Sequence, residues 1–237
     1  MSDEVLELGD AYELLRTMPD GSVDLVLTDP PYNLAPYSTG NIRMDWRKDF
    51  NNDIADWDGE FDPMRVRDDF VRILKPTGNL FAFTSYNMLG RWHEVFDPIF
   101  DTFQFMVWHK TNPPPKLRRA GFLNACELIV CAWNKGHTWH FTRQRDMHNF
   151  VEAGICQGAE RSRDPVHPTQ KPLTVLRRVV ELASNPGDLV LDPFMGVGST
   201  GVAALELGRR FIGIEVCPEY HAAACRRIAS IRPALLS

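Results

Sequence analysis

The 237-residue sequence lacks several features that would assign it to a class at once. It has no apolar run near the roughly 18 residues of a membrane span. Its first residues, MSDEVLELGD, do not form a basic and then apolar leader. Its five cysteines are odd in number and include no C-x-x-C pair, which argues against a disulfide framework and a thiolate zinc site. We therefore expect a cytoplasmic protein with reduced cysteines, no membrane segment and no metal.

Basic residues are a minority overall but are concentrated in one section. The chain carries 26 Lys and Arg against 31 Asp and Glu, a net charge of −5. From Lys110 to Arg178 there are 12 Lys and Arg against 5 Asp and Glu, a net of +7, which leaves 14 against 26, a net of −12, elsewhere. Such a section is either a solvated face or an electrostatic footprint for phosphates.

Strand-like and helix-like segments alternate along the chain. Amphipathic stretches at 64–74, 172–183 and 199–208 predict helices. This alternation is typical of an α/β fold with a mostly parallel sheet and helices on both faces, here in a single domain over residues 1–237. About seven strands are predicted from short apolar, β-branched or aromatic runs: VLEL (5–8), VDLVLT (23–28), NLFAFT (79–84), FQFMVWH (103–109), ELIVCAW (127–133), LVL (189–191) and FIGI (211–214).

Two long polar segments interrupt this pattern. Residues 33–61 are rich in Asn, Asp and Trp, and residues 134–168 carry scattered His, Arg and Gly. Both are longer than ordinary connections in a compact domain. Loops of that length are usually functional or disordered, so we interpret both as candidate functional insertions.

Four predicted strands end on or next to a carboxylate. They lead to Asp10, Asp29, Asp192 and Glu215. In an open α/β sheet, ligands bind beyond the carboxyl ends of the strands, so these four acids are expected to line one cleft. Asp10 precedes the helical pattern AYELLRTM and is equally well suited to cap that helix.

The segment LDPFMGVGSTG, 191–201, contains a glycine-rich turn. Its glycines follow G-x-G-x-x-G between a strand and a helix, and Glu215 comes about twenty residues after the first glycine. This pattern suits an adenosine ligand whose ribose hydroxyls bind the acid, and alone it does not separate NAD from other such ligands. Only residues 216–237 follow, which is too few for a second mononucleotide-binding half. A ligand with one adenosine and no pyrophosphate therefore fits better.

The turn after the second predicted strand reads LTDPPYNL, 27–34. Its two prolines remove two backbone donors and fix φ, which makes the turn rigid. Asp29 and Tyr32 are therefore expected to be held in fixed positions.

These motifs resemble those of a known enzyme family. TDPPY at 28–32 followed by DPFMGVGSTG at 192–201 resembles the DNA amino-methyltransferases that use S-adenosylmethionine, in the permuted arrangement with the catalytic motif first. The segment 108–133 is also similar to the branch of bacterial cell-cycle adenine methyltransferases. That branch usually has histidine where this chain has Cys126, so its substrate site is not carried over. Further matches extend over nearly the whole chain: LKPTGNLFAF (74–83), VWHKTNPPP (107–115), HPTQKP (167–172) and IGIEVCPEY (212–220).

The resemblance implies a Rossmann-like class I methyltransferase fold and a catalytic set of Asp29, Pro30, Pro31 and Tyr32. The amino nitrogen of adenine is a poor nucleophile because its lone pair is delocalised into the ring. The Asp29 carboxylate and the Pro30 carbonyl, held by the prolines, would accept its two hydrogens and return the lone pair for attack. Tyr32 would stack on the base, which must be flipped out of the duplex.

S-adenosylmethionine is the implied cofactor. Phe194 and the glycines would form its wall, Glu215 would hold the ribose hydroxyls, and Asp10 would contact the adenosine. Lys171 could pair with the cofactor carboxylate, although Pro172 after it also fits a helix start. The predicted cofactor residues are Asp10, Asp29, Thr169, Lys171, Asp192, Phe194, Gly196, Gly198, Ser199, Thr200 and Glu215.

Double-stranded DNA is the implied partner. We predict a small DNA-recognition region at about 134–168, within the basic section, and a loop insertion at about 33–61. The resemblance also allows a homodimer and a separate restriction endonuclease. The predicted DNA contacts, mostly to phosphates with a few to base edges, are Lys116, Arg118, Arg119, Asn124, Arg143 and Arg145.

Methylation of adenine in DNA is the leading hypothesis, and three alternatives stay open. Cytosine amino methylation uses the same two acceptors, but relatives with that specificity more often carry Ser before the two prolines, so Asp29 favours adenine. A DNA-binding relative without activity is disfavoured by the intact DPPY. A nicotinamide oxidoreductase leaves DPPY unexplained.

Overall fold

The computed structural model describes residues 3–32, 61–115, 121–165, 167 and 169–235. All but one residue of the predicted insertion at 33–61 lies outside this part, as do three predicted DNA contacts, Lys116, Arg118 and Arg119. None of the helices described combines the length and apolarity that a bilayer crossing requires.

The described chain forms eight strands and six α-helices. The strands are β1 (Glu4–Leu8), β2 (Val23–Thr28), β3 (Leu74–Thr84), β4 (Thr102–Lys110), β5 (Cys126–Trp133), β6 (Phe150–Ala153), β7 (Leu189–Asp192) and β8 (Arg210–Glu215). The helices are α1 (Ala11–Thr17), α2 (Met64–Ile73), α3 (Leu89–Phe96), α4 (Leu173–Ala183), α5 (Ser199–Glu206) and α6 (Pro218–Leu235).

All eight strands belong to one sheet with the order β1-β8-β7-β2-β3-β5-β4-β6. β5 is antiparallel to both of its neighbours, β3 and β4, and the other pairings are parallel. The amino end of β5 therefore lies at the same edge as the carboxyl ends of the other strands. We call this edge the carboxyl edge.

Two hydrophobic clusters hold helices on the two faces of the sheet. Alternate residues of β3 face opposite clusters, since Phe81 packs with α4, α5 and α6 while Leu80 packs with α1, α2 and α3. Both side chains are essentially inaccessible to solvent. Complete burial of side chains of this size stabilises the fold by about 1.5–3 kcal/mol each, before the entropy of ordering is subtracted.

Helical periodicity explains how α2 and α4 pack. In α2 the buried residues are Val66, Phe70 and Ile73, which share one helical face. In α4 the buried Val175 and Val179 are four residues apart and lie one turn from each other. The polar residues between them face outward, so both helices were predictable from their spacing.

The predicted α/β fold, with a mostly parallel sheet and helices on both faces, is confirmed. All seven predicted strands are present, and β6 is an eighth. β6 lies inside the polar segment 134–168 and pairs with β4 from Val107 to Lys110. It is only four residues long, FVEA, with partly exposed side chains, so its sequence carries little strand signal.

Candidate active site

The structure brings the four predicted acids to one edge. Asp10 follows β1, Glu215 ends β8, Asp192 ends β7 and Asp29 follows β2. In the sheet these four parallel strands are consecutive, in the order β1-β8-β7-β2. The four acids therefore share the carboxyl edge of the sheet, and that they line one cleft stays a prediction. Their individual roles differ, because their burial and hydrogen bonds differ.

Asp10 caps α1. Its Oδ1 accepts a hydrogen bond of 2.7 Å from the Tyr12 backbone N–H, and Asp10 itself is exposed. The capping alternative is thus confirmed for this residue. Its predicted contact with adenosine stays a prediction, which the exposed position permits.

Asp192 supports the glycine-rich turn from inside the protein. It is 2% exposed and accepts hydrogen bonds from the Thr28 hydroxyl at 2.8 Å and the Phe194 N–H at 3.1 Å. Burial raises the pKa of Asp192 to about 7, against the lowering effect of hydrogen bonds from Thr200 and Thr28. Asp192 thus ties β7 to the end of β2, next to the TDPPY turn.

The glycine-rich turn needs glycine for two physical reasons. Gly196 and Gly198 have φ of +52° and +77°, which lie in the left-handed region that residues with a Cβ rarely adopt. At Gly201 the φ is ordinary but a Cβ would lie 2.6 Å from the Phe211 ring, so glycine permits close packing of α5 on β8. Because these positions carry no side chain, neighbouring acceptors can approach the backbone N–H groups of the turn closely.

Glu215 is joined to this turn by backbone hydrogen bonds. Its Oε2 accepts from the Gly196 N–H at 2.9 Å, and its Oε1 accepts from the Cys217 N–H at 2.8 Å. Burial raises the pKa of Glu215. The Val216 N–H also acts on this carboxylate, which has about four acceptor positions, so one position remains for a hydroxyl group of a ligand.

Aromatic and hydroxyl side chains complete the predicted cofactor wall. Phe194 is partly buried and packs edge-on against Tyr12 and Phe61, with ring centroids 6.2 and 5.7 Å apart. Ser199 and Thr200 are buried at the start of α5, and Thr169 is exposed. The predicted cofactor residues thus fall into an outer group with accessible surface and an inner group that shapes the turn.

The predicted catalytic turn, TDPPY, is built around Asp29. Tyr32 donates from its hydroxyl to Asp29 Oδ1 at 2.6 Å, and Lys171 donates from Nζ to Asp29 Oδ2 at 2.6 Å. The Lys171 ammonium also lies 5.0 Å from the Tyr32 ring centroid. The prediction that Asp29 and Tyr32 share one rigid turn is consistent with this geometry. The ion pair with Lys171 was not foreseen, since the sequence suggested the cofactor carboxylate as its partner.

Two further charged residues complete a buried network. Glu127, near the amino end of β5, lies with Oε2 3.3 Å from Lys171 Nζ and Oε1 2.6 Å from Lys110 Nζ. The Tyr32 hydroxyl is also 3.3 Å from Glu127 Oε2. Lys110 and Lys171 are 7% and 5% exposed. Two carboxylates and two ammonium groups balance, and we call Asp29, Tyr32, Lys110, Glu127 and Lys171 the charge network.

Burial and ion pairing set the protonation of this network. Burial raises the pKa of Asp29, and Lys171 opposes that effect. Burial also disfavours the Glu127 carboxylate, but Lys171 and Lys110 hold its pKa below the ordinary value. Burial together with Asp29 and Glu127 raises the pKa of Tyr32 well above its ordinary value, so the phenol stays protonated and acts as a donor.

The sequence did not assign Glu127 or Lys110 to the site. The one available signal was a pair of charged residues at the ends of two strand-like runs, VWHK and ELIV. Their meeting depends on the antiparallel pairing of β4 with β5, which sets Trp108 opposite Glu127. That pairing is not legible in the residues themselves.

His167, in HPTQKP, packs against the glycine-rich turn and against Tyr220 in IGIEVCPEY. It is 9% exposed, its ring centroid lies 4.7 Å from that of Tyr220, and its Nε2 would be 3.0 Å from a Cβ placed on Gly196. Burial, with nearby Lys171 and Arg227, lowers the pKa of His167 to about 4. His167 is therefore a neutral side chain packed over the glycine-rich turn.

The predicted DNA contacts that the structure describes are not clustered. Asn124 is exposed in the connection from β4 to β5, at the carboxyl edge. Arg143 and Arg145 pair with Asp146, at 2.6 and 3.7 Å, in a short 3₁₀ turn before β6. Arg178, in the middle of α4, donates to the Asp146 carbonyl. The two arginines thus lie beside the sheet and away from its carboxyl edge.

Metal ligation has no support in this part of the chain. Among the described residues, no group of three or more His, Cys, Asp and Glu side chains is placed to hold a metal ion.

Comparisons with known proteins give the family. A family model described as DNA methylase, covering N6 and N4 methyltransferases, matches residues 23–226. The chain is 33% identical over 248 residues to the type II methyltransferase M.HinfI of Haemophilus influenzae, covering 95% of this chain and 68% of that protein. It is 30% identical over 242 residues to the type II methyltransferase M2.DpnII of Streptococcus pneumoniae, covering 94% and 89%.

Solved structures agree with these matches. The M1.HpyAVI–SAM complex has a TM-score of 0.68 at 25% identity and covers 94% of this chain and 99% of its own. The cytosine-N4-specific PvuII DNA methyltransferase has a TM-score of 0.71 at 20% identity, covering 100% and 93%, a similarity that concerns the fold alone. The match of the family model over residues 23–226, together with the two relatives, shows that this chain belongs to the N6 and N4 DNA methylase family.

Proposed function

We propose that this DNA methyltransferase transfers a methyl group from S-adenosylmethionine to the exocyclic amino group of an adenine flipped out of duplex DNA. The observation that carries the proposal is the partly buried ion pair between Asp29 of the TDPPY turn and Lys171, at the same edge as the glycine-rich turn and Glu215. This arrangement supplies a fixed acceptor for an amino group beside a nucleoside site.

Asp29 and the Pro30 carbonyl act on the amino group. Each accepts one N–H hydrogen bond, which withdraws the nitrogen lone pair from the ring and aims it for attack. S-adenosylmethionine, when bound, supplies an electrophilic methyl group on its sulfonium. The nitrogen must lose one proton once it has gained the methyl group. Asp29 is the nearest predicted acceptor, and its raised pKa helps it to take that proton transiently.

The residues present fit this cofactor. Glu215 keeps one acceptor position for a ribose hydroxyl, and Phe194, in the segment of the glycine-rich turn, offers a partly exposed ring. Thr169 is exposed beside Lys171 and suits the amino-acid end. Two solved relatives support the assignment, since the M1.HpyAVI structure and that of TTHA0409 from Thermus thermophilus are both complexes with S-adenosylmethionine.

Adenine is the preferred target because of Asp29. The fold does not discriminate between targets, since the cytosine-N4-specific PvuII enzyme has a TM-score of 0.71. Relatives with cytosine specificity more often carry Ser before the two prolines, and this chain carries Asp29. Cytosine amino methylation is the second candidate, because the same two acceptors serve its amino group.

We place a phosphate-binding surface of the DNA interface at residues 159–164. Arg161 and Arg163 are exposed there, line a cavity of about 460 Å³ with Arg226, and take part in none of the ion pairs found between described residues. The Ser162 N–H donates to Gln170 at 2.8 Å, which fastens this loop beside Lys171. Free arginines next to the active site suit phosphates better than Arg143 and Arg145 do.

Labelled methyl transfer tests the function. Labelled S-adenosylmethionine and mixed-sequence duplex DNA are incubated with the wild type and with Asp29→Asn, and the DNA is digested to nucleosides. We expect label in N6-methyladenine with the wild type and a loss of about a hundredfold to a thousandfold in the variant. Label in N4-methylcytosine would establish the second candidate. Protein that binds the cofactor but labels no DNA would refute the proposal.

A pair of double variants tests the DNA surface. Arg161→Gln with Arg163→Gln should lower the slope of log affinity against log salt by about one to two, since each lost phosphate contact removes about 0.9. Arg143→Gln with Arg145→Gln removes the same charge and serves as the matched control. Equal changes in both double variants would contradict the proposed surface. The expected homodimer, separate endonuclease and cytoplasmic location stay predictions from the sequence.

A further inference from the structure

The charge network presents a conflict that rests on the proposed function. Asp29 must accept a hydrogen bond from the target amino group, yet both of its oxygens already accept short bonds, from Tyr32 and Lys171 at 2.6 Å each. A donated bond draws charge from the accepting oxygen and weakens it as an acceptor. Each oxygen of Asp29 keeps a second acceptor position, but Asp29 accepts more strongly from the amino group once one of the two donors has left.

Glu127 offers the place for that donor. Its Oε2 lies 3.3 Å from the Tyr32 hydroxyl and 3.3 Å from Lys171 Nζ. Its Oε1 is held at 2.6 Å by Lys110, and its backbone is fixed in β5 between β3 and β4. A second carboxylate is thus already aimed at both donors and is anchored from behind.

The geometry favours Tyr32 as the donor that moves. Lys171 has three N–H groups and can serve Asp29 and Glu127 together, at 2.6 and 3.3 Å. The Tyr32 hydroxyl has only one hydrogen, so it can serve only one carboxylate fully. Rotation of that hydroxyl, with a shift of less than about 1 Å, exchanges its acceptor and leaves its ring in place for stacking.

We propose that Glu127 is a positioning residue that receives the Tyr32 hydroxyl when the target amino group binds. This transfer releases Asp29 Oδ1 for the amino group, while Lys171 keeps Oδ2. Glu127 suits this task as an ionised acceptor, because Lys110 and Lys171 stabilise its charge. The active site thus has a resting arrangement, with the phenol on Asp29, and a working arrangement, with the phenol on Glu127.

A double-mutant cycle on single-turnover methyl transfer tests this proposal. The variants are Glu127→Gln, Tyr32→Phe and the two combined. Glu127→Gln should slow transfer by about tenfold in the wild-type background, because a neutral amide is a weaker acceptor for the phenol. In the Tyr32→Phe background there is no hydroxyl to receive, so the same substitution should slow transfer by less than about threefold.

Further readouts separate positioning from structure. Glu127 raises the pKa of Asp29, so Glu127→Gln should move the acidic limb of the kcat profile to lower pH, which a general loss of stability would not do. Glu152→Gln, at an exposed glutamate that pairs with His109, is the matched control and should leave rate and profile unchanged. If Glu127→Gln fails to fold, the charge-balanced combination with Lys110→Met replaces it in the same cycle.

Each outcome of the cycle decides the proposal. The proposal is supported if Glu127→Gln slows transfer more in the wild-type background than in the Tyr32→Phe background and moves the acidic limb to lower pH. Equal losses in an active enzyme overturn it and leave Glu127 as a structural partner of the two lysines. Absence of transfer by the wild type overturns the proposed function and this proposal with it, so the two failures are distinguishable.

Discussion

Asp192 gives the protein a pH-dependent stability that a single substitution should remove. The carboxyl is 2% exposed, and burial raises its pKa from 3.8 to about 7. The folded state therefore binds this proton more tightly than the unfolded state does. The stability that Asp192 contributes is complete below about pH 4 and is lost as pH rises to about 7.

The magnitude follows from the pKa. Between pH 5 and pH 8, the contribution of Asp192 to the unfolding free energy falls only over the two pH units from 5 to about 7. It falls by about 1.4 kcal/mol for each unit. The wild type should lose about 3 kcal/mol of unfolding free energy from Asp192 over this range. Asp192→Asn cannot titrate, so the difference between wild type and variant should fall by that amount, while contributions common to both cancel.

Urea unfolding without cofactor measures this difference. Both proteins are unfolded at pH 5, 6, 7 and 8 and followed by fluorescence of the six tryptophans. Thr28→Val removes a hydrogen bond that lowers the pKa of Asp192, so in that variant the loss should extend to higher pH. A wild-type curve that runs parallel to the Asp192→Asn curve from pH 5 to pH 8 would refute the reasoning.

Two further predictions concern the charge network and the glycine packing. Lys171→Met removes the cation that lowers the pKa of Asp29, so the acidic limb of the kcat profile should move to higher pH by about one unit or more, and an unmoved limb would contradict the ion pair. Gly201→Ala places a Cβ 2.6 Å from the Phe211 ring and should destabilise the fold by about 1–3 kcal/mol in urea unfolding. Gly90→Ala, also helical but with no atom within 4 Å of its Cβ, should stabilise by up to about 1 kcal/mol, and equal effects would count against the packing argument.

Periodicity predicted the elements because it is a local property. The run VDLVLT is β2 without change, and LVL is β7 with one residue added at its end. The acids at these strand ends lie at one edge because the strands are parallel. β6 was not predicted, because its four residues, FVEA, carry little strand signal and pair with β4 only in the folded chain. Helix α3 was not predicted, because its short apolar pattern, LGRWHEVF, follows β3 with no clear start signal.

The candidate site was predictable only where one motif held it. Asp29 and Tyr32 are three residues apart, and a rigid turn joins them. Lys171 is 142 residues from Asp29 in sequence, and Glu127 is 95 residues from Tyr32. All four side chains nevertheless meet in the fold. Pairings over such separations depend on strand order and on the direction of β5, which no local pattern encodes. Sequence reasoning therefore placed Asp29 and Lys171 in the site, but it did not predict their ion pair or include Glu127.

The charge network also argues that this site was selected for chemistry more than for stability. Burying four charges costs several kcal/mol of desolvation each, and well-packed apolar residues often stabilise a core equally well. Each member instead corrects the burial of another. Lys171 keeps Asp29 ionisable, Asp29 and Glu127 keep Lys171 charged, and Lys171 and Lys110 keep Glu127 ionised. The proposed reaction, activation of an amino group, needs an ionised carboxylate at Asp29, and these mutual compensations favour that state.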